Sequence, residues 1–168
     1  MKILDLVDDV RSGCKSVLTT MTLEEYKKLS FFAFNNNGNI DGQRSVIKRS
    51  STAAKIRKRM ADDFRKGAIF PQVVLGVLFS TENMQNLDES KFYMLLESVN
   101  EGQISIIDGM QRSNIYFENY EDNKQQKIRV EFWCSDASTK LLYRMLVLNT
   151  GQVPWNTRRQ LEVIFDEI

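Results

Sequence analysis

Ile104-Ser105-Ile106-Ile107-Asp108-Gly109-Met110-Gln111-Arg112-Ser113 decides the fold of this chain. The run is apolar from Gln103 through Ile104, Ile106 and Ile107, breaks at Asp108-Gly109, and resumes with Ile115, Tyr116 and Tyr120 at roughly helical spacing. That order predicts a buried strand, a sharp turn and a helix. Such a corner points backbone donors and the positive end of the helix dipole at whatever sits before it, the physical basis of an anion site. Gly109 permits close backbone approach, Arg112 offers a planar fork suited to phosphate, and Gln111 and Ser113 add neutral hydrogen-bonding groups. Asp108 can accept a ribose hydroxyl or help hold a magnesium ion. The competing reading has Asp108 capping the helix and Arg112 paired with a surface carboxylate.

Working outward, Ile128, Val130, Phe132 and Cys134 alternate with Arg129, Glu131 and Trp133, which predicts a strand with two unlike faces. Leu141, Leu142, Met145 and Leu148 mark a helix, Asn149 to Pro154 a loop, and Leu161, Val163, Ile164 and Phe165 a last helix. Upstream, the apolar run Val73 to Phe79 after Pro71 reads as a buried strand. Residues 80 to 90 are turn-like, and Phe92 to Leu96 fits helix or strand equally. Ser50, Ser51 or Thr52 can cap a basic helix to Lys66, stopped by Gly67. Asn35 to Asn39 is a run of turn formers. Thr22-Leu23-Glu24-Glu25 has the form of a capping box opening a short helix to about Ser30. Leu6, Val7, Val10, Cys14, Val17 and Leu18 fall at helical spacing, so residues 3 to 18 are expected to form an amphipathic helix. The expectation is an α+β domain, a small mixed sheet flanked by helices over 36–168, preceded by a helical segment over 1–35.

The 168 residues suffice for one domain with a single core. Their 42% hydrophobic and 27% charged content is ordinary for a globular protein and argues against disorder. The N-terminal apolar run is interrupted by Asp5, Asp8, Asp9 and Arg11, far short of the roughly 20 residues of a membrane span. With no signal-peptide pattern and only Cys14 and Cys134, a cytoplasmic location without a membrane partner is expected. The chain has 0 histidines, which excludes Ser-His and Cys-His nucleophile pairs and His-ligated metals. No Gly-x-x-x-x-Gly-Lys loop occurs, which excludes P-loop NTPase chemistry.

Ile106-Ile107-Asp108-Gly109-Met110-Gln111-Arg112 resembles the hydrophobic-Asp-Gly-Gln-Gln-Arg or Asp-Gly-Gln-His-Arg signature of the ParB/sulfiredoxin superfamily. The branch in question holds the nucleotide-hydrolysing domains of restriction and phage-defence enzymes and the regulator of DNA phosphorothioation. Gln43-Arg44, the basic helix and Gly67 to Leu75 resemble the family's upstream Gln-Arg element, helix and strand. Val147-Leu148-Asn149-Thr150-Gly151 resembles its Asn-Thr-Gly element, so the likeness spans about residues 40 to 165. Met110 departs from the family's usual Gln, and a thioether there argues against the cysteine chemistry of sulfiredoxin. A ParB-style Gly-Glu-Arg-Arg box is lacking, so chromosome partition is not implied.

The resemblance implies a ParB/sulfiredoxin-like fold that binds ATP, GTP or CTP with Mg2+, hydrolysis remaining open. Asp108, Gln111 and Arg112 would be catalytic and Asp108 would face the metal. Gly109 and Ser113 would contact phosphate, Gln43 and Arg44 would approach from the other side, and Asn149 and Thr150 would line the rim. Arg57, Lys58, Arg65 and Lys66 on the basic helix are candidates for DNA phosphates, the solvated-face alternative standing beside them. Trp133 and Trp155 are candidates for stacking on a base, or simply packing groups. Restriction relatives carry a separate nuclease domain, which these residues lack. A nuclease or modification subunit is therefore an expected partner, or the chain is part of a longer protein. The alternative function is a non-catalytic DNA-binding regulatory module of the same fold.

Overall fold

The computed structural model describes residues 1–40 and 51–150, with backbone alone for 51–53 and 147–150. Among them are strands β1 (Lys2–Asp9), β2 (Cys14–Thr22), β3 (Val73–Leu78), β4 (Ile104–Asp108) and β5 (Lys127–Ser135). The helices are α1 (Leu23–Asn35), α2 (Ser51–Arg65), α3 (Thr81–Met84), α4 (Glu89–Glu97), α5 (Met110–Glu118), α6 (Tyr120–Asn123) and α7 (Ser138–Thr150). One five-stranded mixed sheet runs β1-β2-β5-β3-β4, with β5 and β3 parallel and the other neighbours antiparallel. The molecule is an α+β domain, a small mixed sheet flanked by helices.

Side-chain alternation splits the core in two. Val73, Leu75, Val77, Ile106, Val130 and Phe132 face one side, where Leu23 and Tyr26 of α1, Phe64 of α2, Phe92 of α4 and Ile115 and Tyr116 of α5 cover them. Val74, Ile107 and Trp133 face the other side and meet Leu141 and Met145 of α7. Gly76 sits under α7: a β-carbon there would lie 2.9 Å from Leu141 Cδ1 and 3.0 Å from Ile107 Cδ1. The absent side chain lets the helix lie close on the sheet. Among the described residues no helix is long and apolar enough to cross a membrane.

The amphipathic helix expected over 3–18 is instead a β-hairpin. Leu6 pairs with Val17 and Val7 with Ser16 across it, and Gly13 turns the chain at φ 68°. Leu6, Val10, Cys14 and Val17 mimic a helical period because the turn separates two strands whose apolar positions fall in that register. Ser12-Gly13 and the β-favouring run Val17 to Thr22 carried the correct signal. Residues 1–35 are accordingly no separate helical segment, since β2 pairs with β5 in the middle of the sheet. The outer strand β1 is irregular between Ile3 and Asp5 and carries Asp5, Asp8 and Asp9, features that discourage pairing with another chain.

The other expectations fare better. Asn37 and Asn39 adopt positive φ in the predicted turn, and Asn39 Nδ2 donates to Ile104 O at 2.8 Å, tying that turn to the outer strand β4. Phe92 to Leu96 is helical, capped by Asp88, and the turn-like stretch 80 to 90 contains the short α3 capped by Ser80. Helix α7 continues through Asn149 and Thr150, where a loop was expected. The last predicted helix, Leu161 to Phe165, lies outside the described residues.

The capping box forms as read: Glu25 N donates to Thr22 Oγ1 at 3.2 Å and Thr22 N to Glu25 Oε2 at 2.8 Å. Burial pushes the Glu25 carboxyl up, but the N-terminal ammonium and the Thr22 donors outweigh it and hold the pKa below the ordinary value. A depressed acid contributes stability that is present above its unfolded pKa and lost as pH falls through its folded pKa. Glu25→Gln should therefore cost about 0.2–1 kcal/mol at neutral pH, the side chain being 40% exposed and its ion pair screened by solvent. In urea melts that difference should shrink to nothing once the pH lies below the folded pKa of Glu25; a constant difference across the series would refute the assignment.

Candidate functional site

The strand-to-helix corner forms where the sequence placed it. Strand β4 ends at Asp108, Gly109 takes the left-handed conformation at φ 107° and ψ 18°, and α5 begins at Met110. A β-carbon at Gly109 would lie 3.0 Å from both Val73 γ-methyls, so the position requires glycine for both backbone angle and space.

Arg112 lies one helical turn after Asp108 and bonds back to it. Its Nη2 donates to Asp108 Oδ2 at 2.5 Å and to Gln72 O, just ahead of β3, at 3.3 Å. The Arg112 side chain is 20% exposed and that of Asp108 40%. Arg112 Nε is buried with no hydrogen-bond partner. The competing sequence reading is thus partly realised, with Asp108 itself as the carboxylate that pairs with Arg112. The pair leaves the corner near neutrality, with one buried donor unanswered. A buried unsatisfied donor costs about 1–3 kcal/mol, which favours any rearrangement or ligand that supplies an acceptor.

Ser113 does not face a ligand. It is fully buried, its hydroxyl donates to Gly109 O at 3.0 Å, and Tyr26 Oη lies 2.6 Å from its oxygen. A hydroxyl has one proton; with that proton committed to Gly109, Tyr26 must be the donor of the second bond. The relay Tyr26 to Ser113 to Gly109 ties α1 to the first turn of α5. Burial raises the Tyr26 phenol to about 12, the Ser113 hydrogen bond partly opposing it. Ser113 is therefore a positioning residue in place of the phosphate ligand expected. Ser113→Ala should cost about 1–3 kcal/mol by stranding the Tyr26 hydroxyl. Tyr26→Phe combined with Ser113→Ala should recover part of that loss, and additive losses in a thermal-melt cycle would contradict the relay.

Gln111 is partly exposed beside the corner, whereas Met110 is buried in the core. Met110 thus serves packing. Gln43, Arg44 and Trp155 lie outside the described residues, as do the side chains of Asn149 and Thr150. Trp133 is buried beneath the Arg144 guanidinium, 4.3 Å from the ring centroid, so its face is covered rather than offered to a base.

The basic helix does not present its cations together. Lys58, Arg65 and Lys66 are exposed, but Arg57 is only partly so and falls on the side of α2 that carries Ala61 and Phe64 into the core. Arg65 is engaged, its Nε donating to Asn119 Oδ1 and its Nη1 to Asp62 Oδ1, both at 2.8 Å. Among the described residues no group of three or more acidic, Cys or His side chains could hold a metal ion. Asp108 stands alone and already accepts from Arg112. The described residues do not by themselves fit a protein-held magnesium site, so magnesium has no part in the chemistry proposed below. No family model, curated protein or solved structure matches this chain.

Proposed function

We propose that the chain is a nucleotide-binding domain of a DNA restriction, phage-defence or DNA-modification control system, binding the phosphates of an NTP at the β4–α5 corner. The observation that carries this proposal is the buried, acceptorless Nε of Arg112 at a left-handed glycine corner where a helix begins. The likeness of Ile106 to Arg112 to the ParB/sulfiredoxin signature supports it. In this scheme an incoming phosphate competes with Asp108 for the Arg112 guanidinium, and the released carboxylate accepts a ribose hydroxyl. Gln111, partly exposed on the first turn of α5, positions a water for attack where hydrolysis occurs. The exchange trades one ion pair for another, so affinity rests on backbone donors at the corner as well as on the guanidinium.

The test is a thermal-shift and phosphate-release series with ATP, GTP and CTP, each with and without magnesium. A bound nucleotide at about one hundred times its Kd adds about 2.7 kcal/mol to stability, a clear rise in melting temperature. Arg112→Gln should abolish that rise. It should also lower the ligand-free melting temperature, because its guanidinium is largely buried and paired. Binding is therefore scored against each variant's own ligand-free value. A rise of the same size in the variant would remove Arg112 from the site, and no rise in the wild-type protein would end the proposal.

A second reading, a DNA-binding regulatory module, draws on the exposed Lys55, Lys58 and Arg59 of α2 and on Lys66 just after it. Asp62 and Asp63 interrupt that surface and reduce its pull on phosphates. Duplex binding that weakens steeply with salt, and that falls in Lys58→Gln/Lys66→Gln, would favour it over the corner.

A further inference from the structure

On the face of the sheet opposite α5, a cleft of about 270 Å3 opens between the β1–β2 turn and α7, lined by Asp9, Arg11, Ser12, Trp133, Lys140, Tyr143 and Arg144. Three of these are cations brought together from two elements far apart in sequence. The Arg144 guanidinium lies over Trp133, 4.3 Å from the ring centroid, and its Nε is buried without a hydrogen-bond partner. Arg11 Nη2 donates to Tyr143 Oη at 3.2 Å and its guanidinium sits 5.6 Å from that ring. Lys140 Nζ bonds Asp136 Oδ1 at 2.8 Å and would lie 3.6 Å from a β-carbon at Gly13, which places the ammonium against the hairpin turn.

Two carboxylates lie beside these cations, each already accepting hydrogen bonds. Asp9 accepts from Ser12 Oγ at 2.6 Å and from Arg11 N at 3.2 Å, so its carboxylate is turned into its own loop. Asp136 is held by Lys140. Among the described residues neither Arg11 nor Arg144 has a carboxylate within 4.0 Å. Two guanidinium groups held by aromatic rings, neither within ion-pair distance of a carboxylate, line one cleft with Lys140 and form a preorganised receptor for a compact oxyanion.

We propose that this cleft binds a small phosphate monoester, its dianion set between Arg11, Lys140 and Arg144 and its organic part against Tyr143. Arg11, Lys140 and Arg144 outnumber Asp9 and Asp136, and the terminal oxygens of a phosphate can accept from more of these donors at once than a carboxylate can. The volume falls just below the usual range of about 300–1,000 Å3 for drug-sized ligands, which suits a phosphate with one small sugar and not a dinucleotide. The site is separate from the β4–α5 corner and does not depend on nucleotide binding there.

The test reads the fluorescence of Trp133 in a Trp155→Phe background, the chain having 2 tryptophans, with titrations of inorganic phosphate, ribose 5-phosphate and ribose at constant ionic strength. Ribose 5-phosphate should give a saturable change, and ribose none. Arg11→Gln and Arg144→Gln should each weaken binding by about tenfold or more, the loss expected for one charge-assisted contact. Arg11 is exposed on the hairpin turn, so its variant keeps the test open should Arg144→Gln fail to fold through loss of the stack on Trp133. Inorganic phosphate binding as tightly as the ester would keep the anion site but overturn the contact of an organic part with Tyr143, leaving free phosphate as the ligand. No saturable response up to about 10 mM, where binding would be too weak to matter, would overturn the proposal. So would an affinity unchanged in Arg11→Gln.

Discussion

Gly109→Val is expected to destabilise the protein by about 4 kcal/mol, through about 1–3 kcal/mol of backbone strain and about 1–3 kcal/mol of overpacking. The backbone part arises because φ 107° is a conformation that β-branched residues scarcely adopt. The packing part arises because the new β-carbon would stand 3.0 Å from both γ-methyls of Val73, a fully buried residue with little room to retreat. Domains of this kind have only about 5–15 kcal/mol in hand, so the variant should lose a large share of its stability. The two parts can be separated. Val73→Ala on its own leaves a cavity, but combined with Gly109→Val it relieves the collision and leaves the strain, so the double variant should be more stable than additivity predicts. Urea melts on the four proteins measure the coupling. A Gly109→Val protein as stable as wild type would mean that the corner is not left-handed, and the anion site built on it would fall with it.

The parts of this architecture that the sequence reveals are those set by near neighbours. Ile104 to Arg112 declares a strand, a turn and a helix because a period change is interrupted by Asp-Gly, and the fold places all three there. The alternation of Ile128 to Cys134 likewise becomes a strand with Phe132 on one core and Trp133 on the other. What stays hidden depends on distant partners. Ser113 reads as a ligand for phosphate because nothing near it shows that Tyr26, 87 residues earlier, takes its oxygen. Arg57 reads as one more surface cation, and only the docking of α2 through Ala61 and Phe64 leaves it partly covered. The cleft at Trp133 is assembled from residues 9 to 12, 133 and 140 to 144, three stretches that carry no common motif. The N-terminal hairpin misleads for a different reason: its local pattern admits two periods, and the pairing of β2 with β5 decides between them.

Phe132→Ala should cost about 3–5 kcal/mol, the range for truncating a fully buried phenylalanine, and the sheet explains why the upper half applies. Val17, Phe132, Leu75 and Ile106 form one row across β2, β5, β3 and β4, each paired with the next by register and each with no exposed surface. The Phe132 ring also meets Phe92 of α4 edge-on, centroids 5.2 Å apart, so its loss strips contacts from both the row and the helix layer above it. Strand β5 holds β2 on one side and β3 on the other, which leaves little freedom for the backbone to collapse into the gap. Phe132→Leu, which fills most of the space, should cost about 1 kcal/mol. The phosphate response at Trp133 should survive in Phe132→Leu, because the two side chains leave the strand on opposite faces. Equal losses for Ala and Leu would mean that the row is not close-packed. Loss of the Trp133 response in the Leu variant would mean that the two faces are coupled through β5, and that the cleft depends on the first core as well as on α7.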